Sequence, residues 1–313
     1  MLLIITNKDD LTADFLITRL IELKKSYFRL NSEDLTQAGF CFAINNNSIT
    51  RKFTISEKTL DFESVNCVWY RRKLYVCPSD LILPAQRRFV AGEIINLIEG
   101  MAANPSILWV NPMDAVNLAE RKVFQLRLAQ HLGFKIPNTL ISNDADELRN
   151  FYKNNSGNVI CKPIFHGLFI SDDERAAVYT HHVEFDNLND DVQLRACPTF
   201  LQQEIPKGTD VRVTIIGNKV FSAEIYSQES KPLDWRNMKV PISYRLFNLS
   251  KEVEEQCMLM LKQMRLNYGA FDFVSTDEGQ LYFLEVNPTG EWAWLEKEMC
   301  FPMRDAFIEL FNI

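Results

Sequence analysis

Apolar and polar positions change their pattern several times along this chain. The run "LLIIT" at 2–6 reads as a strand, Leu16, Leu20 and Leu23 recur at helical spacing within a helix over about 11–25, and "YFRL" at 27–30 reads as a second strand. Two alternating runs, "FCFAI" (40–44) and "KFTI" (52–55), flank the turn-rich "NNNS" and predict a hairpin. The strand "VNCVWYRR" (65–72) precedes a helical stretch near 85–102 and a strand "ILWVN" (107–111). Strand alternating with helix predicts a small open α/β sheet over 1–114.

From Asn117 the pattern shifts. "NLAERKVFQLRLAQHLGFKIPNTL" reads as one amphipathic helix closed by Gly133, and a second domain is expected to begin near 115. A helix over 144–154 leads to "NVICKP" (158–163), an apolar strand that carries a lysine. Strands follow at 199–205, 210–216 and 219–225, then a helix over about 250–266 and the closing pair "YGAFDFV" and "QLYFLEVN". This is a β-rich α+β region, divided into a central part (115–198) and a C-terminal part (199–313). No G-x-G-x-x-G follows the first strand, so a dinucleotide fold fits poorly.

Composition narrows the class. The 313 residues are 47% hydrophobic, enough for a sizeable core, and no run of about 18 apolar residues suggests a membrane span. The N-terminus "MLLIITNKDD" turns acidic before a signal-peptide core could form, so a cytoplasmic protein is expected. A formal net charge of −7 argues against a general nucleic-acid binder, although "YRRK" (70–73) could hold a local anion. Seven scattered cysteines without a C-x-x-C pair suit reduced, mostly buried thiols. His181 and His182 are adjacent and would face opposite sides of a strand, a poor metal pair. No Ser-His-Asp or Cys-His arrangement stands out.

The chemistry gathers near the C-terminus. In "YFLEVNPTGEW" (282–292), Glu285 and Asn287 are two residues apart in a strand and so share a face. Asp272 lies in "GAFDFV", where a lone buried carboxylate is costly unless it is paired or holds a metal. A turn at "TDEG" would bring it opposite Glu285. Three hard oxygen donors in one pocket suit Mg²⁺ with nucleotide phosphates; the competing reading is a salt-bridged hairpin. Lys122 and Lys162 could reach an anion between two lobes, or be solvated. In "FLQQEIPKGTDVRV", the strand-end backbone at Gln203 to Ile205 could bond a purine edge, with Gln203 or Glu204 adding a polar contact. Asp210 and Arg212 share a face, the arginine suited to a transferring phosphoryl group and the aspartate to a ribose hydroxyl or to orienting that arginine.

The ordered set "NLAERKVFQLRLAQHLGFKIPNT", "VICKP", "LQQEI…DVRV", "GAFDFV" and "FLEVNPTGEW" resembles the ATP-grasp superfamily. By that resemblance Lys122 and Lys162 would contact nucleotide phosphates, Gln203, Glu204 and Ile205 the adenine, and Asp272, Glu285 and Asn287 the magnesium ions. The loop after Lys162, "PIFHGLFISDDERA", departs from the pattern, because its single glycine, Gly167, stands where many relatives have a glycine-rich flap. The N-terminal segments "LLIITNKDDLTADFLITRLIELKKSYFRLNSEDL" and "VWYRRK", with "SQESKPLDWRN" (227–237), are similar to the ATP-grasp ligases that mature ribosomally made peptides of the microviridin, or graspetide, class.

That resemblance implies an ATP-grasp fold with a pre-ATP-grasp domain, ATP and Mg²⁺ as cofactors, and a precursor peptide with leader and core as partner. It also implies a homodimer. The implied reaction is side-chain macrocyclisation: an Asp or Glu carboxyl is phosphorylated, then attacked by a Ser or Thr hydroxyl or a Lys amine. Arg71, Arg72 and Arg236 are candidates to hold the acidic acceptor, against the alternatives of a polar strand end and a loop in which Trp235 packs and Asp234 pairs with Arg236. The acidic "VEFDNLNDDV" (183–192), with Asp190 and Asp191, is expected to form a hairpin that could dock a basic residue of the leader, or simply be solvated. Trp292 and Trp294 are expected to roof the core. An amino-acid or small-peptide ligase on the same fold is the second reading, and a nucleotide-binding module or polyol phosphotransferase the third.

Overall fold

The strand Leu2–Thr6 is buried throughout, and apolar up to Thr6, because it runs inside a parallel sheet whose two faces are both covered. It pairs with Tyr27–Asn31 on one side and Cys67–Tyr70 on the other, and the latter pairs in turn with Leu108–Val110. The helix Leu11–Glu22 begins where the Asp10 carboxylate accepts from the backbone N–H groups of Thr12 and Ala13. A three-stranded antiparallel sheet, Gly39–Ile44, Ile49–Ile55 and Lys58–Asp61, packs Phe53 and Leu60 into the same core as the helix Pro84–Ala102. The computed structural model describes residues 1–78, 82–165, 167–170, 175–227, 233 and 241–313.

The single helix expected from Asn117 is two. Met113–Ala119 ends at Glu120, Arg121 is extended, and Lys122–His131 starts afresh. The buried Gln125 donates from Nε2 to the Ala119 carbonyl at 2.6 Å, which takes up an orphaned acceptor at the break. Lys122 thereby becomes the first residue of a helix.

Beyond the break, His181–His182, Val159–Cys161, Thr199–Gln203 and Thr139–Ser142 form an antiparallel sheet in that order, with the helix Ala145–Asn154 packed on it. The strand at 199 therefore belongs to this central sheet, and the chain passes to the next lobe between Gln203 and Thr209. Residues 183–192 do not make the expected hairpin. They form a 3₁₀ turn, Phe185–Leu188, and then Asp190 caps the short helix Asp191–Ala196 through the N–H groups of Val192 and Gln193. Five closely spaced Asx residues favour such capping turns over a β-ladder.

The last lobe is a five-stranded antiparallel sheet ordered Ser243–Leu246, Lys219–Tyr226, Thr209–Ile216, Tyr268–Ser275, Leu281–Asn287. One face packs on Lys251–Gln263 and on the helices around Lys122. The other shares a core with the first sheet, where Trp292, Phe307 and Phe311 of the C-terminal segment meet Leu2, Ile4 and Trp69. Trp292 roofs that core, as expected, with Trp294 packed against it. The cysteines differ from expectation. Cys67 and Cys257 are buried, but Cys41, Cys77, Cys197 and Cys300 are exposed, because they fall on an edge strand, in loops and at a helix end rather than on core faces. No helix among the described residues is long and apolar enough to cross a membrane.

Candidate active site

A cavity of about 770 Å³ opens between the central and C-terminal sheets, within the range of small-molecule sites. Its floor is the hairpin of Tyr268–Ser275 and Leu281–Asn287. Asp272 lies directly opposite Glu285, and the register then slips so that Phe273 faces Phe283, leaving Leu284 as the extra residue of a bulge. The bulge resets the alternation: Phe283 and Val286 both enter the core while Glu285 and Asn287 line the cavity with Asp272. Two carboxylates facing each other across a ladder repel unless cations lie beside them. Here Lys122 Nζ stands 2.6 Å from Glu285 Oε2, and Arg212 Nε 3.2 Å from Asp272 Oδ1. The donor set of two carboxylates and one amide oxygen, open to the cavity and reachable by cations, fits Mg²⁺.

The strand that carries Glu285 and Asn287 is the edge of its sheet, and a side chain completes its hydrogen bonding. Gln125 Oε1 accepts from Val286 N–H at 2.9 Å and Gln125 Nε2 donates to Val286 C=O at 2.8 Å. Lys122 and Gln125, one turn apart on one helix, thus dock on two consecutive residues of the strand Leu281–Asn287.

The other cavity wall is the central sheet. Lys162 follows its short strand and donates to Gln202 Oε1 at 2.8 Å. The strand end beside it has a definite polarity. Gln203 N–H is taken by Asn138 C=O and Glu204 N–H by Asn158 C=O, while no backbone bond engages Glu204 C=O or Ile205 N–H among the described residues. An adjacent acceptor and donor at the chain edge match the N6 amine and N1 of adenine. The Glu204 side chain is turned to His182, 3.1 Å away. Asp210 is ion-paired with Lys207 and sits with Arg212 on the strand Thr209–Ile216, both nearly buried.

A roof element explains the lone glycine. Leu168–Ile170 and Arg175–Ala177 form a two-stranded hairpin next to the cavity, and Gly167 sits at its base, where a Cβ would come within 2.4 Å of the Val178 carbonyl oxygen. A side chain cannot fit there. His166 and residues 171–174 lie outside the described residues.

Arg71 and Arg72 are placed differently from each other. Arg71 is 2% exposed, bonds the Thr289 carbonyl at 2.5 Å and lies between Asp10 (3.4 Å) and Glu291 (2.5 Å). Arg72 lines the cavity, 3.6 Å from Asp10 and paired with Glu291, which also accepts from Thr12. So Arg72 faces the chamber and Arg71 braces it from behind. Asp190 is occupied as a helix cap and Asp191 pairs with Arg149, 68% of its side chain remaining exposed. Arg236, with Asp234 and Trp235, lies outside the described residues.

Several cavity residues escaped the sequence reading. Lys73 pairs with Glu120 across the domain boundary, and Lys207, Gln202 and His182 also line the chamber. Asp10 carried a helix-cap signal and Lys73 closed the basic run "YRRK"; Glu120 carried none, since only the fold brings 73 and 120 together. Behind the site, Tyr268 donates to the Gly290 carbonyl at 2.8 Å, and its complete burial pushes the phenol well above its ordinary range.

A bulged carboxylate hairpin facing two lysines across a cleft between antiparallel sheets defines an ATP-grasp protein. Residues 1–117 match the MvdD pre-ATP-grasp domain. The whole chain is similar to the macrocyclase MdnC from Microcystis aeruginosa MRC, solved with precursor peptide MdnA, at 29% identity and a TM-score of 0.89 over 100% of this chain and 99% of that one. PsnB, solved with a minimal precursor, Mg and ADP, shares the fold at 21% identity and a TM-score of 0.74, over 100% of this chain and 98% of that one. Among curated sequences, a probable alpha-L-glutamate ligase of Vibrio parahaemolyticus is 25% identical over 184 residues, 57% of this chain and 58% of that protein, so the chain spans little more than half of that relative's length. The N-terminal match and the whole-length similarity make this chain an ATP-grasp ligase, similar to the macrocyclases of ribosomally made peptides.

Proposed function

We propose that the protein is an ATP-dependent peptide macrocyclase: it phosphorylates an Asp or Glu side chain of a ribosomally made precursor and joins that carboxyl to a Ser or Thr hydroxyl, or a Lys amine, of the same peptide. The observation that carries this is the Asp272–Glu285–Asn287 corner facing Lys122 and Lys162 in a chain similar, end to end, to a macrocyclase solved with its precursor peptide.

In this reading the Glu204 carbonyl and Ile205 N–H receive adenine, Asp210 the ribose, and Lys122 and Lys162 the phosphates. Asp272, Glu285 and Asn287 would hold Mg²⁺, and the chemistry such an ion supplies when bound is neutralisation of phosphate oxygens. Once anionic phosphates arrive, Lys122 exchanges Glu285 for a phosphate oxygen. Arg212, fixed beside Asp272, is positioned for charge that develops during phosphoryl transfer. Arg72 holds the acceptor carboxylate at the chamber mouth, and Arg71, Asp10 and Glu291 keep its guanidinium there. A leader would dock away from this chamber, with Asp190 and Asp191 the candidate contacts.

The test is ADP release by the protein with ATP and Mg²⁺, comparing any short acidic, Thr-containing peptide encoded beside its gene with free glutamate and small peptides. Release that requires the encoded peptide supports the proposal; release driven only by free amino acids or small peptides would replace it with a small-molecule ligase.

A further inference from the structure

Resting on that reading, we propose that Glu120 is the general base that accepts the proton of the attacking nucleophile. Five described carboxylates line the chamber: Glu120, Glu204, Asp210, Asp272 and Glu285. Four face other groups. Asp272 and Glu285 form the metal corner, Asp210 is paired with Lys207 beside the ribose position, and Glu204 is turned to His182 at the adenine end. Glu120 lines the chamber together with Lys73. Lys73 grips its Oε2, while Oε1 has no hydrogen-bond partner among the described residues.

Its place in the chain brackets the reaction. Lys73 follows Arg72, the proposed holder of the acceptor carboxylate, and Glu120 precedes by two residues Lys122, whose ammonium reaches the metal corner. The acyl carbon of a phosphorylated acceptor has to lie between the group that holds the carboxylate and the group that holds the transferred phosphate. The Lys73–Glu120 pair lines the same chamber as Arg72 and Lys122, with each of its members a chain neighbour of one of them. Because Glu120 ends one helix and Arg121 is extended before the next, the carboxylate sits at a chain break, and a salt bridge from the N-terminal domain fixes it there. A carboxylate with one oxygen anchored and one open to the chamber is suited to proton transfer from a bound hydroxyl.

The step balances as follows. The hydroxyl oxygen of the peptide forms a bond to the acyl carbon, the bond from that carbon to the phosphate oxygen breaks, phosphate leaves with the electron pair, and the hydroxyl proton passes to Glu120 Oε1. An amine nucleophile gives up its proton by the same route.

The test separates activation of the carboxyl from attack upon it. Wild type and Glu120→Gln are incubated with ATP, Mg²⁺ and the encoded precursor, and crosslinks are counted by mass spectrometry. A parallel series adds hydroxylamine, which attacks acyl phosphates without a base and leaves a hydroxamate on the acceptor. Glu120→Gln is expected to slow crosslinking about 100-fold or more, while its hydroxamate yield stays within about twofold of wild type. Lys73→Met, which frees Glu120 without removing it, is expected to slow crosslinking less than Glu120→Gln does. Crosslinking by Glu120→Gln within about threefold of wild type would overturn the assignment. Equal loss of crosslinks and hydroxamate, with an unchanged melting temperature, would also overturn it by making Glu120 a tether of the acceptor site. If wild type forms neither product, the macrocyclase reading falls and this assignment with it.

Discussion

Gln125 offers a quantitative test of how the edge strand Leu281–Asn287 is held. Its side chain makes three hydrogen bonds, to Ala119 C=O at 2.6 Å, Val286 C=O at 2.8 Å and Val286 N–H at 2.9 Å, and the residue is 3% exposed. Replacement by Met keeps most of the volume and removes all three bonds. Three backbone groups then lose their partners beside a side chain that is nearly buried. At about 1 kcal/mol for each bond, and more where a group stays unsatisfied, the expected loss is about 3–5 kcal/mol. That is a large part of a typical stability of about 5–15 kcal/mol. In urea unfolding the midpoint should fall by about 1 M or more. Because Val286 lies between Glu285 and Asn287, the surviving folded protein should also bind Mn²⁺ with ADP, measured by the loss of free Mn²⁺ signal in electron paramagnetic resonance, more weakly than wild type. A midpoint change worth under about 0.5 kcal/mol would refute the account of the edge strand; unchanged Mn²⁺ binding would refute the positioning role.

Other predictions follow the same geometry. Gly167→Ala forces a Cβ against the Val178 carbonyl, so the hairpin beside the cavity must shift; KM for ATP should rise several-fold while the melting temperature moves little, and an unchanged KM would show that this hairpin does not cover the nucleotide. Arg72→Ala should raise KM for the peptide at least about tenfold and that for ATP much less, measured by coupled ADP release; equal changes in both would count against an acceptor-holding role. The Arg245 guanidinium, bonded to Glu224 at 2.9 Å, holds that carboxyl below its usual range. A depressed folded-state pKa means stability that is present above the ordinary carboxylate pKa of about 4.3 and lost as pH falls through the folded value. The stability difference between wild type and Glu224→Gln should therefore be flat above about pH 5 and shrink on further acidification; a difference that grows with acid would reverse the sign.

Much of this molecule was legible in its sequence because strand and helix periodicity are local. The small open sheet was announced by strands alternating with helices, and the Asp272–Glu285 pairing by two strand patterns around "TDEG". What was not legible was set by contacts distant in sequence. The break before Lys122 is stabilised by Gln125 reaching Ala119 and, across the fold, Val286; helical periodicity alone reads straight through it. The bulge at Leu284 exists to satisfy two faces at once, and strict alternation would have turned either Phe283 or Val286 out of the core. The division of labour between Arg71 and Arg72 depends on Asp10 and Glu291, which lie at opposite ends of the chain. At 183–192 local capping chemistry overrode a charge pattern that suggested a hairpin.

The most direct measurement is the mass of the precursor peptide after incubation with the protein, ATP and Mg²⁺, for wild type and for Asp272→Asn and Glu285→Gln. The account predicts successive losses of one water per crosslink with wild type, and no loss with either variant although both remain folded by circular dichroism. An unchanged peptide mass with wild type, or crosslinking by the variants at near wild-type rate, would contradict it.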